Sequence, residues 1–313
     1  MKKTRNIFII VAVALMFAGI IICAVSFSMS GFNFSEFSTS LVGKEVKEMK
    51  ADFKNEFSNL TLNTVDRKID FQKSDDDMIH FEYTENEKRK IEISESNGTL
   101  SLTEHTHYKW YDYFFSFDNG NKLTVKLPAE INASISVDNR NGKITFSGIN
   151  VKDDVKLHTS NGEISFSDDE IEGELIAQIS NGRVNISNLD VKGNVELKTS
   201  NGEVSLQDFD SSSRLNIKTS NGKVYLNKAE AEEISMESSN GKIEFWDTDV
   251  TKSISAKTIN GKIEGTLIGK EGDYNITAET SSNNSCNLPM TGNGGKTAYF
   301  KTSNGNIEVS YVQ

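Results

Sequence analysis

From residue 131 onward, apolar side chains alternate with polar ones on either side of a recurring Asn-Gly. The pairs Ile144/Phe146, Ile164/Phe166, Val184/Ile186, Val204/Leu206, Val224/Leu226 and Ile243/Phe245 follow the dipeptide. The pairs Val155/Leu157, Leu175/Ala177, Val195/Leu197, Leu215/Ile217, Ile234/Met236 and Ile254/Ala256 precede the next one. Both sets have period 2, as strands with one buried face require. A third set, Ile149/Val151 and Leu189/Val191, is less regular. Asn-Gly stands at Asn141-Gly142, Asn161-Gly162, Asn181-Gly182, Asn201-Gly202, Asn221-Gly222, Asn240-Gly241 and Asn260-Gly261, with spacings of 20, 20, 20, 20, 19 and 20, and again at Asn304-Gly305. A fixed period of this length marks a repeat architecture. Asn tolerates and Gly prefers positive φ, so each dipeptide reads as a turn.

Two architectures fit one repeat. In a hairpin closed by Asn161-Gly162, Thr159 faces Ile164 and Leu157 faces Phe166, so both apolar pairs share a face and a meander is consistent. In a solenoid the dipeptide is a corner, and successive coils lie about 4.8 Å apart with equivalent residues in register. Thr-Ser precedes the dipeptide at Thr159-Ser160, Thr199-Ser200, Thr219-Ser220 and Thr302-Ser303. A hairpin needs only Asn-Gly, whereas stacked coils reward identical side chains through hydroxyl and amide ladders. The sequence therefore predicts an all-β fold, a single-stranded parallel β-solenoid (β-helix) of about 20-residue coils, with regular repeats over 131–313 forming a stack on the order of 40 Å long.

Residues 55–130 lack the regularly spaced turn signature but keep the alternation, at Leu60/Leu62, Ile69/Phe71, Ile79/Phe81/Tyr83, Ile91/Ile93, Leu100/Leu102 and Leu123/Val125/Leu127, and read as irregular coils of the same body. Within residues 31–54, Val46, Met49 and Phe53 predict a short amphipathic helix capping the stack beyond a Ser- and Phe-rich tether. At the other end, Ile307, Val309 and Tyr311 follow Asn304-Gly305 with no helix to cover them. The stretch Ser285 to Gly295, with Pro289 and several glycines, is the expected cap there.

Residues 7–27, IFIIVAVALMFAGIIICAVSF, are uncharged, and as a helix their 21 residues span about 32 Å, a bilayer core. Lys2, Lys3 and Arg5 precede this run and the first charge after it is Glu36. The positive-inside bias predicts a single-pass cell-membrane protein with residues 1–30 as cytoplasmic N-terminus and transmembrane helix, and an extracellular C-terminal domain. Ala24-Val25-Ser26 offers a weak cleavage site for a signal peptide, but the apolar run is long for one. Ile20-Ile21-Ile22 are the wrong shape for lipid modification of Cys23.

Hydrophobic residues at 36% and charged residues at 25% place the chain among folded proteins, and two prolines leave no stalk between modules. The formal charge is -11 with +3 on residues 1–30, which leaves -14 on the rest and argues against nucleic acid as a partner. Cys23 and Cys286 give no disulfide framework. The acidic runs Asp75-Asp76-Asp77 and Asp168-Asp169-Glu170 lack a calcium-loop pattern, and His105 and His107 lack further ligands, so neither a metal nor a cofactor is expected. No Gly-x-Ser-x-Gly, phosphate loop or zinc motif occurs, and no enzyme is predicted. Between His105 and Phe117 seven of ten consecutive residues from Tyr108 are aromatic. Alternation cannot bury them all, so the run is either a lid over the stack or an exposed patch, with Tyr108, Trp110, Tyr111 and Tyr113 as candidate binding residues.

The stretch LTVKLPAEINASISVDNRNGKITF (Leu123 to Phe146), followed by TSNGEISF, TSNGEVSL and TSNGKVYL, resembles a bacterial family of extracytoplasmic repeat domains of unknown function. That family carries an adhesin label assigned by similarity and includes membrane-anchored LiaG-type proteins of envelope-stress operons. The resemblance covers about residues 55–313 and implies a β-helical body facing the cell envelope, with no catalytic or binding residues to carry over. It leaves three functions open: a binding or adhesion module for an envelope glycan, an accessory component of envelope-stress signalling acting through another membrane protein, and a glycan-active enzyme. The sequence carries no signal for oligomeric state.

Overall fold

A computed structural model describes Met16, Gly19, Ile21, Val25 and residues 46–107, 121–281, 284–288 and 294–313. The described strands are β1 (Lys47–Lys54), β2 (Asn59–Asp66), β3 (Lys68–Lys73), β4 (Met78–Glu85), β5 (Arg89–Ser96), β6 (Thr99–Thr106), β7 (Lys122–Leu127), β8 (Glu130–Ile131), β9 (Ser134–Ser147) and β10 (Asn150–Val151). They continue with β11 (Val155–Ile171), β12 (Leu175–Val191), β13 (Val195–Thr199), β14 (Val204–Thr219), β15 (Val224–Ser238), β16 (Ile243–Thr258), β17 (Ile263–Ile268), β18 (Tyr274–Glu279), β19 (Lys296–Thr302) and β20 (Ile307–Val312). A 3-10 turn, Glu271–Asp273, precedes β18. Of the apolar run at 7–27, Met16, Gly19, Ile21 and Val25 are helical and the rest lies outside the described residues. No helix among the described residues is long and apolar enough to cross a membrane.

The chain divides into two compact units. One comprises residues 1–47, 86–89 and 106–119. In it, Asn86 and Arg89 close a turn by mutual backbone hydrogen bonds, and His107 N donates to Lys88 O at 2.8 Å. The other comprises residues 48–85, 90–105 and 120–313 and holds the solenoid.

Successive coils pair in parallel at the repeat spacing, as in Val155↔Leu175, Ile164↔Val184 and Ile171↔Val191. Each regular coil has three inner faces, one more than the two clear apolar pairs announce. In β11 these are Val155, Leu157 and Thr159, then Ile164 and Phe166, then Asp169 and Ile171, all buried. The ladders so formed fill the interior: Phe71, Phe146 and Phe166 stack with ring centroids 4.2 and 5.0 Å apart.

The corner between the second and third faces places Asp168, Asn188, Asp208, Lys228 and Asp247 at φ between 48° and 60°. Asp and Asn are the non-glycine residues that best tolerate this left-handed region. At the Asn-Gly corner the asparagines are not left-handed, and Gly142, Gly162 and Gly182 have φ of 126°, 144° and 158°. What demands glycine along the whole corner is close approach, since a Cβ on Gly162, Gly222 or Gly261 would collide with the carbonyl of Gly142, Gly202 or Gly241 in the preceding coil.

The helix expected over Val46, Met49 and Phe53 is instead β1, which pairs with β4. Ala51 and Phe53 alternate onto the core, and the Phe53 ring meets Phe81 edge-on at 5.9 Å, whereas Met49 is exposed. A strand partner at β4 satisfies the backbone of this segment better than an isolated two-turn helix could.

Both ends of the stack depart from chain order. At the N-terminal end β2 lies between β6 and β9, and β3 between β7 and β9, while β4 closes on β7 antiparallel. Beneath β2 and β3 the interior holds a buried ion pair, Arg67 Nε to Glu104 Oε1 at 2.7 Å, with Arg67 also donating to Thr84 O at 2.9 Å. At the C-terminal end β19 lies between β16 and β18, and β20 pairs with β17. The outer edge of β20 is covered by residues 285–288. Ile307 N donates to Ser285 O and Asn287 N to Ile307 O at 3.0 and 3.2 Å, and the Asn287 amide bonds both Val309 N and Val309 O. Leu288 is buried there, so the described part of the expected cap does lie on the terminal rung.

Candidate functional site

The Lys-Thr-Ser-Asn-Gly corner assigns one task to each residue. Thr199, Thr219, Thr258 and Thr302 point inward, and their hydroxyls donate to the carbonyls of Gly182, Gly202, Gly241 and Gly261 at 3.0, 3.2, 3.0 and 2.8 Å. Asn141, Asn161, Asn181, Asn201, Asn221, Asn240, Asn260 and Asn304 form a side-chain ladder in which each Nδ2 donates to the Oδ1 of the level before. Its distances lie between 2.7 and 3.1 Å, and Asn141 extends it to Asp66. Both amide atoms of most of these asparagines are thus engaged by neighbouring levels.

At five levels the serine before the asparagine points outward and, with the residue two positions earlier, lines a groove of about 640 Å³ running along the stack. The groove includes Ser180, Ser200, Ser220, Ser239 and Ser303 on one side. On the other, one column of directly paired residues reads His158, Gln178, Lys198, Lys218, Glu237, Lys257, Lys301. The four lysines are about half-exposed. Lys198 pairs with Glu196, Lys218 lies 3.2 Å and Lys257 3.9 Å from Glu237, and Lys301 lies 2.7 Å from Glu279. The hydrogen bond from Glu279 raises the Lys301 pKa, and Lys301 followed by Tyr299 holds the Glu279 carboxyl below the usual range. Ile259 replaces serine at one level and is 51% exposed, and Lys257 Nζ lies 5.4 Å over the Tyr299 ring. The groove offers cations, hydroxyls and small apolar surfaces repeated at the coil spacing.

The lysine column escaped the sequence reading because a solvent-facing lysine on a strand is unremarked when taken alone. The signal was present: Lys stands three residues before Asn201, Asn221, Asn260 and Asn304, which fixes the four on one line once the coils stack. The aromatic candidates Tyr108, Trp110, Tyr111 and Tyr113 lie outside the described residues. His105 is on the surface, 3.2 Å from Glu92. The acidic runs are tied into the fold: Asp76 accepts from Met78 N and contacts His80, and Asp168 accepts from Asn188 Nδ2 at 2.8 Å. Among the described residues no group of three or more His, Cys, Asp or Glu side chains is arranged to hold a metal.

A third-face column of opposite sign runs Glu170, Asp190, Asp210, Glu230, Asp249 in direct register. Burial, then the neighbouring Asp210 and Glu170 charges, raise the Asp190 pKa.

Fold and groove together define a repeat protein of the parallel-solenoid class that displays an ordered polar face. Residues 57–311 match the Toastrack DUF4097 family, and the chain belongs to it. The chain is similar to a solved candidate adhesin from Bacteroides fragilis NCTC 9343, at 16% identity over 86% of this chain and 99% of that one, with a TM-score of 0.41. It is also similar to candidate adhesins from Parabacteroides distasonis ATCC 8503 and Parabacteroides merdae ATCC 43184. Their identities are 15% and 14%, over 85% of this chain in both cases and 97% and 96% of theirs, with TM-scores of 0.49 and 0.47. Among curated proteins none matches the chain.

Proposed function

We propose that this protein is a non-catalytic binding module, anchored in the cell membrane by residues 7–27 and presenting its solenoid outside the cytoplasm to a ligand of the cell envelope. The groove of Ser200, Ser220, Lys198 and Lys218 and their counterparts carries the reading, because its polar groups repeat at the spacing of the coils and so match an extended ligand. The apolar run preceded by Lys2, Lys3 and Arg5 supports the orientation. Filling the groove tests it. The full chain in non-ionic detergent is expected to sediment with purified envelope glycan, and Ser200→Trp with Ser220→Trp is expected to weaken the affinity at least about tenfold, a loss of about 1.4 kcal/mol. Equal sedimentation of both proteins, with unchanged thermal melting, counts against the groove.

A second reading, an accessory role in envelope-stress signalling through another membrane protein, is favoured by the aromatic run from Tyr108 to Phe117. Trp110→Ala with Tyr111→Ala would then abolish co-purification of a membrane protein while sparing glycan binding.

A further inference from the structure

We infer that the groove binds a linear anionic polysaccharide laid along the stack axis, with its acid groups held by Lys198, Lys218, Lys257 and Lys301. The inference rests on the binding reading above and names the ligand chemistry of the same site. Four lysines and one glutamate line this groove, and with Glu196 and Glu279 paired to Lys198 and Lys301 beside it the cluster still holds one more lysine than glutamate, on a chain whose residues beyond 30 carry a formal -14. The third face bears the in-register carboxylates from Glu170 to Asp249, which repel a polyanion and leave the lysine face as its landing surface.

The spacing refines the ligand. Lys198 and Lys218 sit on adjacent coils, about 4.8 Å apart, as do Lys257 and Lys301, and Glu237 separates the two pairs. An acid group opposite Glu237 is disfavoured, so the ligand's acids engage the two lysine pairs on either side of it. The serine hydroxyls are suited to sugar hydroxyls, and Ile259 and Tyr299 offer surfaces for the C–H face of a ring. An extended peptide is a poor alternative: it binds such surfaces by adding to a free strand edge, and here the backbone of each coil is already paired above and below.

The test titrates the full chain in non-ionic detergent with polygalacturonate, poly(glycerol phosphate) and neutral dextran. Binding of at least one anionic polymer and not of dextran is expected, weakening at least about tenfold between about 50 and 200 mM salt as charge contacts are screened. Lys198→Glu with Lys218→Glu is expected to remove that binding, whereas Lys192→Glu, which lies beside Glu170 and Glu172 and not in the groove, leaves it unchanged. Polygalacturonate binding assigns a carboxylate as the acid group, and poly(glycerol phosphate) binding a phosphate. Thermal melting of each variant controls for folding, with Lys198→Ala and Lys218→Ala as milder replacements. If envelope glycan binds the wild type and is blocked by Ser200→Trp with Ser220→Trp, yet charge reversal and salt leave binding intact, the anionic ligand is wrong and the groove reading stands. If the tryptophan variant also binds normally, both fall. Binding to phosphatidylglycerol vesicles in place of every polymer overturns the polysaccharide in favour of a lipid surface.

Discussion

Asp169 occupies an inner position where the next two coils place Leu189 and Phe209, and it is 6% exposed. Its carboxyl is retained as a corner brace, accepting hydrogen bonds from Ile149 N at 2.9 Å and Ser167 N at 2.8 Å. Burial outweighs those bonds and pushes its pKa up to about 6, from 3.8. The native state therefore holds this proton more tightly than the unfolded chain, so the residue's contribution is most favourable below about pH 4 and is lost as pH rises to about 6. Asp169→Asn keeps one acceptor and removes the titration. Relative to wild type, the variant is expected to gain about 2–3 kcal/mol of unfolding free energy on going from pH 4 to pH 7, read from denaturant melts at both values. Parallel curves for the two proteins would exclude the buried carboxyl as the cause. The 20-residue spacing aligns this aspartate with Ile149 and Leu189 and the solvent-facing Asp168 with Gly148 and Asn188, but the third apolar set is too irregular for a carboxylate to read as an inner residue from the sequence alone.

At the level of the strand and corner, the two regular faces were legible because each carries an apolar pair at a fixed offset from Asn-Gly in six successive repeats. The preserved Thr-Ser separated solenoid from meander for a reason now visible in its parts: threonine bonds the preceding coil's glycine carbonyl from inside while asparagine bonds its counterpart from outside. The β1 segment was not legible, since Val46, Met49 and Phe53 fit a helical face as well as Ala51 and Phe53 fit a strand, and only its pairing with β4 decides. The two roles of the corner predict unequal costs. Asn221→Ala removes one rung of an exposed ladder and is expected to cost about 0.5–1.5 kcal/mol. Gly222→Ala drives a methyl group into the Gly202 carbonyl and is expected to cost about 3 kcal/mol or more, by the same melts. A smaller loss for Gly222→Ala than for Asn221→Ala would show that the coils can separate to admit a side chain.

For the molecule as a whole, a stack of parallel coils is a hazard at its ends, where an unpaired edge invites another chain. The expected cap from Ser285 to Gly295 meets the terminal rung in its described residues 285–288, but the exchange of order that puts β19 inside β18 was not readable, because both segments are plausible outer rungs by pattern alone. Replacing Ser285 to Gly295 by a short glycine bridge removes the Ser285 and Asn287 hydrogen bonds to β20 and the buried Leu288. The full-length variant is expected to self-associate with rising concentration in sedimentation, beyond the level of its parent in the same detergent. A variant as monodisperse as its parent would mean that β20 is not a sticky edge.

The placement of β19 and β20 also governs when the body can be completed. Coils β9 to β17 can be added one upon another as a chain emerges from the ribosome, each finding its partner already in place. β18 cannot, because its partner is β19, which is synthesised after it. The C-terminal end must therefore wait as an open seam until β19 and β20 slide in between β16, β17 and the segment that has gone ahead of them. A chain interrupted within those two strands is left with that seam unclosed, not with a shorter finished stack, and quality-control proteases would meet exposed strand there first.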